Sequence, residues 1–254
     1  MFEPGLFEGS TVVMTGAGRG IGRAAAVAYL AHGAHVIAHL GRTVPDDVPP
    51  VFAEAGDRFA PLTGDFTIPD GPAAFVEAVK ASTDRIHVLV NNAGTMFGRF
   101  PAGALTDNQY ESLVALNQTA VVKITRDLLP LLKASAPAAI VNTSSISARA
   151  GGSAGSSVYS ATKAFVSTYS RALARELAPD GIRVNVVSPG TIDTDFHARY
   201  STPEKLAAAR TSIPAGRLGV GEDCAPAFLF LSAESLSGYI TGQVLEVNGG
   251  QLMP

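Results

Sequence analysis

The chain has no tryptophan, a single cysteine, few charges and no long apolar run, and each shortage narrows what it can be. Cys224, alone among 254 residues, cannot close an internal disulfide, which argues against a stapled secreted scaffold. Charged residues make up 16% of the chain, the formal net charge is -3, and no basic run occurs, so the footprint of a nucleic-acid binder is missing. The apolar stretch Ala24 to Ala31 falls far short of the roughly 20 residues a membrane span needs. The five histidines are scattered without metal-ligand spacing, so no metal is expected. Met1-Phe2-Glu3-Pro4-Gly5 lacks the basic, apolar and small-residue order of a secretory signal. These absences predict a cytoplasmic protein with no membrane or nucleic-acid partner. A hydrophobic content of 46% over this length suits one α/β domain spanning residues 1–254.

What is present is an alternation of short apolar runs and helical patterns. Thr11-Val12-Val13-Met14 leads into Thr15-Gly16-Ala17-Gly18-Arg19-Gly20-Ile21-Gly22 and then an alanine-rich segment, which reads as strand, glycine turn and helix. Glycines at 16, 20 and 22 let the backbone turn tightly and approach a ligand, and the helix start offers free N–H groups to a pyrophosphate. The spacing is Gly-x-x-x-Gly-x-Gly, not the commonest dinucleotide fingerprint. A second strand, Ala34 to Leu40, ends at Leu40-Gly41-Arg42, without the acid that commonly holds an adenosine ribose; the nearby guanidinium favours a 2′-phosphate and hence NADP(H) over NAD(H).

Pro49 and Pro50 predict a short or irregular crossover over residues 43–60, followed by a weak third strand at Pro61 to Asp65. Asp65 is equally a turn cap or an adenine contact. A helix is expected over Ala73 to Lys80. Ile86 to Val90 is a central strand running into Asn91-Asn92-Ala93-Gly94, and a long helix over Asp107 to Leu132 carries Asn117 among apolar neighbours. Ala139 to Thr143 ends in Ser144-Ser145, and Ile182 to Val187 ends in Ser188-Pro189-Gly190. Strands alternating with helices predict a Rossmann-type, doubly wound parallel sheet with helices on both faces. The residues after the strands then converge on one edge.

Tyr159 and Lys163 stand four apart in a helical pattern, which puts them on one face. An ammonium beside a phenol favours the phenolate and makes the tyrosine a usable acid or base.

With these motifs the chain resembles the compact branch of the short-chain dehydrogenase/reductase family, from about Leu6 to Gly250. The tail adds Ile213-Pro214-Ala215-Gly216-Arg217-Leu218 and Asn248-Gly249-Gly250. The resemblance implies an enzyme moving a hydride between a nicotinamide cofactor and a carbonyl or secondary alcohol. It makes Tyr159 the general acid/base, Lys163 its partner, Ser145 the donor to the substrate oxygen, and Asn117 the holder of a water; Ser144 remains a rival to Ser145. It implies a cofactor groove of Gly16, Arg19, Gly20, Ile21, Gly22, Arg42, Asp65, Asn91, Ala93, Gly94, Pro189, Gly190, Ile192 and Thr194, with Tyr159 and Lys163. The loop over residues 191–213 would select the substrate and cover the site, and a homotetramer, or a dimer, is expected. His87 and the proline-rich crossover depart from the family pattern. A nucleotide sensor on the same fold, or a lyase or epimerase using its cofactor internally, are the rival readings; neither would consume free cofactor.

Overall fold

Seven parallel strands in the order β3-β2-β1-β4-β5-β6-β7 form the centre of the molecule. The computed structural model describes residues 2–253, apart from the side chains of His197 and Ala198. The first half runs β1 (Thr11–Thr15), α1 (Gly20–Ala31), β2 (His35–His39), α2 (Pro50–Glu54), β3 (Phe59–Leu62), α3 (Gly71–Ser82) and β4 (Val88–Asn91). The second half runs α4 (Asp107–Val114), α5 (Ala120–Lys133), β5 (Ala138–Thr143), α6 (Ser147–Ala150), α7 (Ser157–Leu177), β6 (Ile182–Pro189), α8 (Asp195–Tyr200), α9 (Pro203–Ser212), α10 (Gly221–Ser232), α11 (Glu234–Ser237) and β7 (Val244–Val247).

Strands β4, β5 and β6 are buried along their whole length, and β4 and β5 accordingly read as apolar runs up to their polar ends, whereas β6 carries Arg183 and Asn185, each satisfied by hydrogen bonds. One face of the sheet packs against α1 and α10, where Ala25, Ala26 and Tyr29 meet Phe228 and Leu229. The other packs against α3, α5 and α7 through Val76, Ile124, Leu128 and Leu177. No helix among the described residues is long and apolar enough to cross a membrane.

The crossover between β2 and β3 is short, as its prolines dictate. Pro49 caps α2 and Pro50 fills its first turn, where a missing N–H costs nothing. Two expectations differ from the fold. The strand expected from Ile86 begins at Val88, because His87 is tied to the start of β1: its N–H donates to the Thr11 carbonyl and its Nδ1 accepts from the Thr11 N–H at 3.0 Å. The long helix expected over Asp107 to Leu132 is interrupted by a π-helical turn at Ala115–Thr119. That wider turn carries Asn117, which is fully buried.

The sheet order reverses between β1 and β4, so the connections leaving these strands part to opposite faces and open a crevice at their carboxyl ends. The glycine turn, the Asn91–Gly94 segment, Ser145 and Gly190 all follow strands at this edge.

Candidate active site

A cavity of about 740 Å³ occupies this crevice. Of the residues expected at a cofactor or catalytic position, Gly16, Arg19, Gly20, Ile21, Gly22, Ala93, Gly94, Ser145, Tyr159, Lys163, Pro189, Gly190, Ile192 and Thr194 line it. Four do not.

Asn91 is 3% exposed and turned into the core, donating to Thr125 Oγ1 and Asn142 Oδ1, both at 2.9 Å. Its neighbour Asn92 is the amide that reaches the cavity, and sequence reasoning, which picked the first residue of the pair, missed it. Strand alternation accounts for the exchange, since successive side chains point to opposite faces. Arg42 and Asp65 lie beyond the ends of β2 and β3, outside the cavity, and pair with each other at 2.9 Å. Asn117 stands behind the wall. Its Nδ2 donates to the carbonyls of Thr95 and Leu113 at 2.8 and 2.9 Å, and its Oδ1 accepts the Thr95 N–H at 3.1 Å. Its side chain therefore clamps the loop after β4 to the π-helical turn.

The glycine turn is held against the end of β4 by short polar contacts. Thr15 Oγ1 accepts from the N–H groups of Asn92 and Ala93, each at 3.0 Å, and Asn92 Nδ2 donates to the Gly16 carbonyl at 3.0 Å. Gly16 has φ +70, and a Cβ there would stand 2.8 Å from the Ala93 Cα. His39 supports the turn from below: its Nδ1 accepts from the Gly16 N–H at 3.3 Å, so the ring proton is on Nε2, facing the Gly64 carbonyl at 3.0 Å. Burial holds the His39 imidazole below its ordinary pKa, which preserves that neutral form.

Helix α7 presents Tyr159 and Lys163 from consecutive turns. The Lys163 carbonyl accepts from Ser144 Oγ at 2.9 Å and Ser167 Oγ at 3.2 Å, which fastens α7 to the end of β5. Ser144 is 2% exposed and its hydroxyl is committed to these contacts. Ser145 instead hydrogen-bonds the Tyr159 side chain, and its Oγ accepts the Ser147 N–H at 3.1 Å. Of the two serines, geometry brings Ser145 to the tyrosine.

Lys163 is 4% exposed, donates to the Thr143 carbonyl at 2.9 Å, and has its Nζ 5.9 Å from the Tyr159 ring centroid. Burial pushes its ammonium down to about 8. Tyr159 is half-buried beside the cavity; its packed surroundings push the phenol up to about 12, against a smaller opposing effect of the Ser145 hydrogen bond. Burial of the phenol thus opposes the pull expected from Lys163. Held at about 8, Lys163 stays mostly charged near neutral pH, beside a Tyr159 that stays protonated. Gly94 shares this corner, since a Cβ there would lie 2.8 Å from Asn117 Oδ1 and 2.9 Å from Lys163 Nζ.

The segment expected as a substrate loop forms α8 and α9 over the cavity mouth. Thr202 caps α9 by accepting the Lys205 N–H. Phe196 of α8 faces the Tyr159 ring at 5.8 Å between centroids, and the Tyr200 hydroxyl accepts from Thr95 Oγ1 at 3.0 Å. Arg19 in the glycine turn pairs with Asp195 at 3.2 Å. Arg99 and Asp195 also line the cavity, and neither stood in any motif that a sequence reading could use.

Comparison with known proteins agrees with this geometry. Residues 16–251 match the family model described as enoyl-(acyl carrier protein) reductase. An uncharacterised short-chain type dehydrogenase/reductase of Sinorhizobium fredii is 37% identical over 98% of this chain and 99% of its own. The crystal structure of the NADH-dependent reductase A1-R′, responsible for alginate metabolism, superposes with a TM-score of 0.86 at 35% identity, covering 98% of this chain and 99% of that one. A chain assigned as an NAD(P)-dependent gluconate 5-dehydrogenase from Beutenbergia cavernae, with NADP bound at low occupancy, gives 0.88 at 35% identity, covering 98% and 99%. Together the seven-stranded parallel sheet, the crevice at its switch point and these near full-length matches place the chain in the short-chain dehydrogenase/reductase family, as an NAD(P)-dependent oxidoreductase.

Proposed function

We propose that the protein reduces a carbonyl to a secondary alcohol, and runs the reverse oxidation, with Tyr159 as the proton donor and acceptor. The observation that carries this reading is the convergence of Tyr159, Ser145 and Lys163 in one cavity with the glycine turn. Near neutral pH a phenol held at about 12 stays protonated, the state an acid needs when a carbonyl oxygen gains charge. Ser145 would hold that oxygen beside the tyrosine, and Lys163 would stabilise the tyrosinate left when the proton departs.

The residues fit a dinucleotide. Helix α1 begins on a glycine turn with no acidic residue in its first turn and no side chain capping its N–H groups, a donor set suited to a pyrophosphate. Gly16, Gly20 and Gly22 would lie along it, Arg19 would meet its charge, and Lys163 would reach its ribose hydroxyls. The dinucleotide supplies the hydride. Asn117 takes part as the clamp that positions Gly94 and Thr95.

The preference for NADP(H) rests on Leu40, which fills the place of a ribose-binding acid, and on Arg42 beyond it. Asp65 holds Arg42 in place yet would oppose a phosphate, so the preference depends on the pair separating. Arg42→Ala is expected to weaken NADPH by about 10-fold, the cost of one charge-assisted contact, while NADH changes little. Fluorescence titration of both cofactors measures this, and equal losses would remove Arg42 from cofactor selection.

A homotetramer is the assembly we infer. Tyr239 is fully exposed, and Leu236 of α11 and Leu245 of the edge strand β7 are also open. An apolar edge of this kind needs cover in water. Light scattering should give four chains per particle, and a stable monomer would contradict the inference. The reaction itself is tested by oxidation of reduced nicotinamide in the presence of ketones, ketoacyl thioesters, quinones and oxidised sugars. Absence of consumption with every compound would overturn the proposed activity.

A further inference from the structure

Among the described residues the cavity is lined by Arg19, Arg99, Lys163, Arg199 and Lys205, and by one acid, Asp195. This excess of positive charge occurs in a protein whose net charge is -3. The acid is already shared: Arg19 pairs with Asp195 at 3.2 Å and Arg199 at 3.7 Å. A dinucleotide would further occupy Arg19 and Lys163, as argued under the proposed function. Arg99 and Lys205 remain, and neither has an acidic partner among the described residues.

Arg99 is held in place by three segments of the chain. Phe97, immediately before Gly98, takes φ 54, a conformation that a bulky residue adopts only when its surroundings enforce it. The Phe100 N–H then donates to the Gly155 carbonyl at 2.8 Å, and a Cβ on Gly155 would stand 3.0 Å from the Arg99 Cβ. Arg99 Nε donates to the Tyr200 carbonyl at 3.0 Å, while Nη1 donates to Ser153 Oγ and, at 3.5 Å, to the Ala154 carbonyl. Nη2 has no hydrogen-bond partner among the described residues. A guanidinium fixed on one side by neutral groups and lining a cavity with no acid paired to it among the described residues is organised to receive an anion.

We propose that the substrate carries a carboxylate and that Arg99 is the residue that selects it, with Lys205 adding charge at the cavity mouth. Because Arg99 also grips the end of α8, carboxylate binding stabilises the arrangement in which α8 closes over Tyr159. This inference rests on the proposed reaction for its substrate's carbonyl, but its test does not require turnover.

The test is calorimetric titration of the enzyme saturated with reduced nicotinamide, which cannot oxidise an added alcohol. D-gluconate is compared with D-glucitol, and lactate with propane-1,2-diol; each pair differs only in a carboxylate replaced by a hydroxymethyl group. The carboxylate of at least one pair is expected to bind about 10- to 100-fold tighter than its neutral counterpart, the scale of a charge-assisted hydrogen bond. Arg99→Gln should erase that difference while leaving the neutral compound and the cofactor bound as before, and Arg99→Lys should restore part of it. If neither carboxylate outbinds its neutral counterpart, the inference is overturned. If Arg99→Gln weakens both members of a pair equally, Arg99 is only a scaffold and its selecting role is lost. Carboxylate preference that persists in Tyr159→Phe, alongside a failure of any compound to consume nicotinamide, would refute the reaction and not the anion site.

Discussion

Replacing Tyr159 with Phe is expected to lower the turnover number by about 10²- to 10⁴-fold, the range that a positioned proton donor contributes. The change removes one oxygen and keeps the ring that packs near Phe196, at 5.8 Å between centroids. No cavity is created, and the fold should melt as the wild type does. Ser145 loses its tyrosine partner but retains the Ser147 N–H at 3.1 Å, so the oxygen-binding side of the site stays formed. Cofactor affinity should therefore be nearly unchanged, because the glycine turn and α1 are untouched. A split of this kind, chemistry lost and binding kept, identifies a group that acts on the reacting atoms. Near-normal turnover would remove the tyrosine from the reaction.

The second large effect is expected at Gly22. A Cβ on this residue would run into the Gly16 carbonyl and the Asn92 amide, the two groups that hold the turn to the end of β4. The first is backbone and the second is tied by hydrogen bonds to the Thr15 and Gly16 carbonyls, so Gly22→Val forces the backbone of the turn to move. We expect a stability loss of about 1–3 kcal/mol, the usual cost of overpacking a tight site. We also expect dinucleotide affinity to fall by about 10-fold or more, since misdirected N–H groups lose a charge-assisted contact. Gly103→Ala is the control, because a Cβ there meets nothing within 4 Å. Thermal unfolding and reduced-nicotinamide fluorescence read the two effects separately. Wild-type values for Gly22→Val in both would mean that the turn is more yielding than its contacts imply.

The central strands were legible because parallel strands buried on both faces favour apolar runs, and β4 and most of β5 are written that way. The short crossover was legible because two adjacent prolines leave a helix only its first turn. The interruption after Val114 was not, since a π-helical turn has no residue signature and is revealed only by the clamp Asn117 makes on Thr95 and Leu113. Within the site, the four-residue spacing of Tyr159 and Lys163 foretold their shared face but not their electrostatics. Whether desolvation or mutual attraction sets the pKa depends on how much protein surrounds the pair, and spacing carries no record of that. Asn91 and Asn92 show the same limit at finer grain, since one register step decides which amide faces the core. Arg99 was invisible for a different reason. Its meaning comes from Ser153, Ala154 and Tyr200, which are distant in the chain and ordinary in type.

The measurement that tests the central claim most directly follows deuterium placed at both positions of the reactive carbon of reduced nicotinamide, with an oxidised-sugar panel, wild-type enzyme and Tyr159→Phe. The account predicts that wild type delivers deuterium to the new alcohol carbon of a product, one label for each cofactor consumed, and that Tyr159→Phe binds the labelled cofactor but transfers almost none. A product without label from wild type, or label transferred equally well by Tyr159→Phe, would contradict it.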